Sequence, residues 1–235
     1  YNDATPSTYF DQGNVIGAIG AGNTITNYGG SSANIGYGIY CIYQNGADIS
    51  YNTINNRLGG VSHTNTLYGI FISANTGNIT NSLSITHNDI SLGQGAISQT
   101  LFAIRTGSAN YVAGSISITN NTIHDCTFDA GASGQFYGIY QEFDCASSNI
   151  DDNIITDNAL NTGAANSYLI YDNGVTPTMS VSGNQLTNNS ITAALAGNIN
   201  GYYYVNISAT GNITVADNVI DNLSVPSGST GYVVG

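Results

Sequence analysis

The sequence is almost devoid of positive charge. Its 235 residues include no lysine, and the only arginines are Arg57 and Arg105. Charged residues make up 7% of the chain, whereas globular proteins average about 25%. The 14 acidic residues give a formal net charge of −12. Such a chain repels phosphate backbones and anionic headgroups, so we expect neither nucleic acid nor an anionic membrane as a partner.

Long apolar runs are also missing. No stretch approaches the roughly 20 apolar residues of a membrane-spanning helix, which predicts no insertion into a membrane. The opening residues, YNDATPSTYF, contain neither an initiator methionine nor the apolar core of a signal peptide, as expected for a processed protein or an excised piece. Apolar residues still account for 41% of the composition, which disfavours disorder and allows a sizeable core.

Cysteine is scarce and has no metal-binding spacing. Cys41, Cys126 and Cys145 are an odd number, so the chain forms at most one internal disulfide. Because cysteine commonly behaves as a small hydrophobic residue, we expect buried free thiols.

The chain does contain an internal repeat centred on an asparagine. An aliphatic residue stands two positions after this asparagine in every copy, and in most copies another stands three positions before it. A second polar residue follows four positions after it in all copies but one, where Leu92 stands. The recurring residues are Asn23, Asn52, Asn88, Asn121, Asn153, Asn184 and Asn218, separated by 29, 36, 33, 32, 31 and 34 residues.

An aromatic motif lies between successive asparagines. It reads YGIY at 37–40, YGIF at 68–71, FAIR at 102–105, YGIY at 137–140, YLIY at 168–171 and YYVN at 203–206. The closing YVVG at 232–235 fits the same register through Val234. Strand alternation places the first aromatic of each copy inside: Tyr37, Tyr68, Phe102, Tyr137, Tyr168 and Tyr203. The fourth residue then faces outward: Tyr40, Phe71, Arg105, Tyr140 and Tyr171.

These periods predict an all-β solenoid of about seven coils of roughly 32 residues, because short alternating strands recur and no helical period does. We expect residues 1–235 to be a single β-helix segment cut from a longer repeat array, with 1–14 as a partial first coil and 226–235 as the start of a further coil. We expect the asparagine to occupy a left-handed corner and to form a side-chain ladder of about 0.5–1.5 kcal/mol per hydrogen bond. Each fully buried isoleucine contributes about 1.5–3 kcal/mol.

The repeat, as in the segment from Ile118 to Asp125, resembles that of right-handed parallel β-helices, the pectate-lyase-like fold. The resemblance covers about residues 15–235. Proteins with the pectate-lyase-like fold include polysaccharide lyases and hydrolases, phage tailspikes and non-catalytic stalks of large secreted bacterial surface proteins. The amino-acid composition of this chain, which lacks lysine and is rich in Asn, Gly, Thr and Tyr, is most similar to that of the stalks.

The resemblance implies two kinds of active site to test. Lyases of this fold imply a Ca²⁺ site of several acidic residues and a basic residue that removes a proton. The chain has no lysine for this role, and Arg57 and Arg105 fall in different parts of the repeat, which disfavours a lyase. His63, His87 and His124 stand at unrelated registers and predict no metal triad.

Hydrolases need converging carboxylates as general acid and base. The carboxylates considered are Asp125, Asp144, Asp151, Asp152 and Asp157. Asp125 and Asp157 share a register in successive coils, about 5 Å apart, where they would share a proton or bridge a cation such as Ca²⁺. The simpler interpretation, which we favour, is that both point into solvent at the turn. We therefore expect no catalytic residue and no resident cofactor.

The outer aromatic row is the candidate binding surface. Its rings would lie against sugar rings, or would stack on one another and cover the sheet. Ice binding is not expected, because threonine does not recur at the position after the motif asparagine. The leading hypothesis is a rigid spacer in an extracellular bacterial surface protein, contacting flanking coils or head-to-tail copies and glycans; the alternative is a polysaccharide-binding or polysaccharide-degrading protein.

Overall fold

The computed structural model describes residues 11–30, 34–42, 44–56, 62–73, 82–95, 98–107, 112–129, 133–161, 165–193, 197–205 and 211–235. Within these ranges the chain forms 27 short strands and no helix. Every pair of neighbouring strands is parallel. The predicted all-β parallel solenoid is confirmed.

Three seven-stranded sheets form the long walls of the solenoid. Sheet 1 contains Val15–Ile16, Asp48–Ser50, Leu83–Thr86, Val112–Thr119, Asp144–Asp151, Thr178–Ser182 and Asn212–Ala216. Sheet 2 contains Thr24–Thr26, Thr53–Asn55, Asp89–Ser91, Thr122–His124, Ile154–Thr156, Gln185–Thr187 and Val219–Asp221. Sheet 3 contains Gly36–Ile42, Leu67–Ser73, Leu101–Thr106, Phe136–Gln141, Ser167–Asp172, Ile199–Tyr204 and Val233–Val234.

Two smaller sheets complete the wall. Sheet 4, between sheets 2 and 3 along the chain, contains Gly93–Gln94, Thr127–Phe128, Ala159–Leu160 and Ser190–Ile191. Asp11–Gln12 pairs with Gln44–Asn45 near the start of the stack. Because seven stacked rungs are joined by six connections, the chain makes about six turns. The number of sequence repeats had predicted about seven coils. At about 4.8 Å per rung this is about 29 Å of solenoid.

The core is built from columns of similar aliphatic residues. The aliphatic residue two positions after each motif asparagine pairs with its counterpart in the next rung, as Ile90 does with Ile123. The five central members of this column are at most 1% exposed: Ile54, Ile90, Ile123, Ile155 and Leu186. Ile220, in the final rung of the column, is 37% exposed. Side-chain burial is therefore supplied by the neighbouring rungs.

The left-handed corner residue is not the motif asparagine. Positive φ is found at the residue before it, at Tyr51, His87, Asn120, Asp152, Gly183 and Asp217. It recurs at the polar residue four positions after it, at Asn27, Asp125, Asp157, Asn188 and Asn222. The expectation that the ladder asparagines take this conformation was wrong, because hydrogen bonding and not backbone tolerance selects asparagine there.

The first aromatic of each sheet 3 motif lies outside the core, contrary to the alternation argument. In the pairings among the first six strands of sheet 3 one position lacks a register partner; in the second strand it is Gly69. A Cβ on Gly69 would lie 3.1 Å from the core Ile90 side chain, and the next residue, Ile70, is fully buried. Two consecutive positions therefore face inward, as in a β-bulge, and Tyr68 and Phe71 both lie on the outer face.

The last aromatic motif was also placed in the wrong register. Tyr202 pairs with Ile170 and Tyr203 with Tyr171, three positions from the expected alignment. Val234 likewise pairs with Asn200 and not with the central aliphatic position. Tyrosine occupies all three positions 202–204, so the sequence did not show which of these residues aligns with the motif of the preceding rungs.

Candidate binding surface and interior polar groups

The seven motif asparagines form one continuous ladder at the corner between sheets 1 and 2. At each step, the backbone N–H and the side-chain Nδ2 of one asparagine both donate to the Oδ1 of the next, over 2.8–3.2 Å. From the second rung on, Nδ2 also donates to a main-chain carbonyl one rung back, as Asn121 does to Ile85 over 2.8 Å. The five central asparagines are at most 1% exposed, so the ladder satisfies polar groups that water does not reach.

A second, shorter ladder was not predicted. Asn158 donates through Nδ2 to the Oδ1 of Asn189 over 2.7 Å, and both side chains are fully buried. One rung earlier Cys126 takes this position, and its backbone N–H donates to Asn158 Oδ1 over 2.8 Å. The sequence signal was an asparagine five positions after the motif asparagine, present in only these two rungs.

The aromatic residues of sheet 3 form a stacked outer ladder. In the first column the rings of Tyr37, Tyr68, Phe102, Tyr137 and Tyr168 follow one another with centroids 4.9–5.1 Å apart and planes within 12° of parallel. The ring faces are therefore occupied by neighbouring rings. In the second column Tyr40 and Phe71 stack at 5.5 Å.

Arg105 takes the place of a ring in the second column. Its guanidinium carbon lies 5.3 Å from the ring centroids of Phe71 and Tyr140 and 5.0 Å from that of Phe102. It donates to the Tyr68 hydroxyl over 3.1 Å and to Glu142 over 2.8 Å. The planar cation thus continues the stack and is neutralised by a carboxylate.

The stacking direction changes at Tyr171. Its ring plane is turned by 77–88° from those of Tyr137, Tyr140 and Tyr168. Tyr203, in the following rung, lies within 14° of parallel to Tyr171 and is 44% exposed. This pair interrupts the order of the rings in the preceding rungs, and Tyr203 leaves part of its ring surface open to solvent.

The candidate carboxylates make local hydrogen bonds at the turns. Asp125 bonds through Oδ2 to His124 Nδ1 over 2.8 Å, and Asp157 accepts from the Thr156 hydroxyl over 2.9 Å. Both carboxyl-bearing residues are exposed, at equivalent positions of successive rungs. His124 Nε2 also bonds to Asp89 over 2.8 Å.

The other acids and the remaining charged candidates are separate from this pair. Asp144 accepts from the Val175 backbone N–H over 2.8 Å, and Asp151 accepts from the Ser180 hydroxyl and the Ser182 N–H, both over 2.8 Å. Arg57 lies outside the described residues. Across the described ranges, no group of three or more His, Cys, Asp or Glu side chains is arranged to hold a metal ion.

The three cysteines are buried, and they are thiols that form no disulfide with one another. Burial raises the pKa of Cys41 to about 11 and that of Cys145 to about 12, the latter with a smaller opposing hydrogen bond from Thr176. These thiols are poor nucleophiles at neutral pH. In the portion of the chain that the structure describes, no helix is long and apolar enough to cross a membrane.

Comparisons with protein-family models, with curated proteins and with solved structures found no match to this chain. The fold and the side-chain geometry are therefore the basis of the assignment. They define a parallel β-solenoid repeat protein of about six turns, with buried asparagine ladders and an outer aromatic ladder.

Proposed function

We propose that this chain is a rigid spacer and adhesive segment of a large extracellular bacterial surface protein, with flanking coils or head-to-tail copies as its axial partners. The resemblance of the repeat to pectate-lyase-like β-helices, and to their non-catalytic stalks in particular, belongs to this proposal. The observation that carries it is the unbroken asparagine ladder from Asn23 to Asn218. A ladder that runs without interruption ties each rung to the next through hydrogen bonds along the whole stack, as a spacer of fixed length requires.

The outer surface of sheet 1 supports an extracellular, solvated role. In the four rungs from Leu83–Thr86 to Thr178–Ser182, most of its outward positions carry small hydroxyl and amide groups, with Asp151 as the carboxylate among them and Asp144 as a second at the start of one strand. These positions are Ser84, Thr86, Ser115, Ser117, Thr119, Ser147, Asn149, Asp151, Thr178, Ser180 and Ser182. Such a face stays hydrated while offering no apolar patch for unspecific association.

Antibody labelling of cells that produce the protein tests the location. Intact cells are expected to bind an antibody against this chain as strongly as permeabilised cells do. Labelling that requires permeabilisation would refute the extracellular assignment.

Lengthening the solenoid tests the spacer role. We would insert a second copy of residues 121–152, one complete coil, and measure the separation of spin labels placed at Thr24 and Val219. A spacer lengthens by one rung, about 4.8 Å. An unchanged separation, or a folded protein with an altered axis, would contradict a role in setting distance.

A second candidate function is the binding of neutral glycans by the turned pair Tyr171 and Tyr203. Aromatic rings contact the C–H faces of sugars, and this pair is the point where the outer ladder leaves its self-stacked order. The charge balance favours uncharged sugars over polyuronates, because the described cation nearest the pair in the ladder, Arg105, is already bonded to Glu142.

Binding to arrayed neutral polysaccharides checks this candidate. Tyr171→Ala and Tyr203→Ala should each weaken binding about 2- to 10-fold, because each removes one aromatic contact with the sugar. Tyr232→Ala is the matched control, since Tyr232 is 60% exposed and lies outside the aromatic clusters. Unchanged binding in both ladder variants would remove the pair as a site.

A further inference from the structure

One carboxyl group lies in the interior with no counter-ion among the residues that the structure describes. Asp172, the last residue of the strand Ser167–Asp172, is 0% exposed. Its Oδ1 accepts a hydrogen bond from the Gly174 backbone N–H over 3.1 Å. Its Oδ2 is buried and has no hydrogen-bond partner within the described ranges. A buried carboxylate oxygen in this state carries a large desolvation cost, which protonation removes.

The preceding rung shows what chemistry this position accommodates. Gln141 is the register partner of Asp172 and is also fully buried. Its Oε1 accepts from the Phe143 N–H over 2.7 Å, as Asp172 Oδ1 accepts from the residue two positions on. Its Nε2 donates to the Phe143 carbonyl over 2.8 Å. This position therefore accommodates a neutral side chain with one hydrogen-bond acceptor and one donor. A protonated carboxylic acid has both groups, whereas an ionised carboxylate has no donor.

The groups packed around Asp172 do not compensate a negative charge. Cys145, on the adjacent strand of sheet 1, and Tyr202, on the next strand of sheet 3, both have pKa values raised by burial and then by the charge of Asp172. Tyr204 is its register partner in that next strand, and Asp144 lies near the same thiol. These neighbours are neutral acids or another carboxylate, and no cation in the described part of the chain contributes to the pKa of Asp172.

We propose that Asp172 is a pH-responsive latch: as a neutral carboxylic acid it closes the corner between sheets 3 and 1 at residues 172–177, and its ionisation loosens that corner. Burial raises the pKa of Asp172 from 3.8 to about 7, partly offset by the Gly174 hydrogen bond. The folded state therefore holds this proton more tightly than the unfolded state does. The resulting stabilisation is complete below pH 3.8, is lost as the pH rises to about 7, and changes no further above that.

Asp172→Asn tests the latch, because the amide has the same shape and stays neutral. Unfolding midpoints would be measured from pH 4 to 9 for the wild type and the variant. Between about pH 4 and 7 the unfolding constant of the wild type should rise relative to that of Asp172→Asn by up to tenfold per pH unit. The exposed Asp157→Asn is the control and should follow the wild type. Parallel curves for wild type and Asp172→Asn would overturn the proposal.

A local readout keeps the proposal testable if Asp172→Asn folds poorly. Cys145 lies beside this corner, where its Sγ is 3.3 Å from the Thr176 hydroxyl, whereas Cys126 is buried at a different corner. The alkylation rate of Cys145 divided by that of Cys126 should increase in the wild type from pH 6 to 8.5. Infrared spectra of the wild type should show the C=O band of one protonated carboxyl at pH 6 that disappears by pH 8.5. A constant rate ratio, or no such band, would refute the latch.

Discussion

The side-chain amide of Asn121 donates to the Oδ1 of Asn153 over 3.0 Å, and both side chains are fully buried. The backbone N–H of Asn121 donates to the same oxygen over 3.0 Å. The side chain of one rung therefore holds the main chain of its neighbour, which couples the rungs more tightly than the sheets alone do.

Asn121→Ala should be among the most damaging single substitutions in the chain. It removes the partner of the Asn88 N–H and of the Ile85 carbonyl, both in the interior. Each buried group left unsatisfied costs about 1–3 kcal/mol, so we expect a loss of about 3–5 kcal/mol in the free energy of unfolding. Denaturant titration measures it. Asn149→Ala, at an exposed strand position, should change stability by less than about 0.5 kcal/mol; equal losses in the two variants would contradict the ladder's importance.

Substitutions at Asn120 test the left-handed backbone conformation apart from the hydrogen bonds of the asparagine ladder. Its φ of 57° is left-handed and its side chain is exposed. Asn120→Val should destabilise the protein by about 1–2 kcal/mol, because a β-branched residue is strained there. Asn120→Gly should be neutral within about 0.5 kcal/mol. Thermal unfolding of the pair checks this, and the idea fails if valine and glycine are tolerated equally.

Arg105→Lys should weaken the outer aromatic ladder although the charge is kept. Lysine retains attraction to Glu142 but has no planar group to lie between Phe71 and Tyr140. We expect a loss of about 1 kcal/mol in unfolding free energy. Glu142→Gln, which keeps the stack and removes the ion pair, is the comparison. If lysine matched arginine while Glu142→Gln lost stability, the pair and not the stacking would carry the effect.

His124 should make stability depend on pH near neutrality. Burial lowers its pKa, but hydrogen bonds and charges from Asp125 and Asp89 outweigh burial and raise the pKa above 6.5. The stabilisation is complete below pH 6.5 and is lost as the pH rises through the folded-state value. Asp89→Asn should lower the pKa of His124, as measured by NMR titration of the imidazole. An identical titration in the variant would show that the Asp89 contact is absent in solution.

The repeating columns were predictable from the sequence, and the irregular positions were not. The asparagine at Asn121 recurs in every rung and an aliphatic residue always stands at the position of Ile123, so aligning the copies reproduces the structural register. Tyr68 was misplaced because strict alternation does not anticipate the inward pair Gly69 and Ile70. The burial of Asp172 gave no signal, since a single aspartate after an aromatic motif usually marks a solvated turn.

The left-handed corners also combine a feature that the sequence predicts with one that it does not. Asparagine is the residue type expected at positive φ, yet Tyr51 and His87 take that conformation beside ladder asparagines that do not. Their rings stack on each other at 4.6 Å, a contact between successive rungs that a one-dimensional pattern does not reveal. Columns follow from spacing along the chain, whereas contacts at the corners depend on which rung lies above.

Pairwise spin-label distances along one outward column test the central claim, the stacking of successive repeats on a single axis. Thr24, Thr53, Gln185 and Val219 occupy equivalent positions of sheet 2, and all four are exposed. With about 4.8 Å per rung, the Thr53–Gln185 pair spans four rungs, about 19 Å, and the Thr24–Val219 pair spans six, about 29 Å. Distances that grow in proportion to the number of rungs are the predicted result. Distances unrelated to rung number would contradict the solenoid and every function inferred from it.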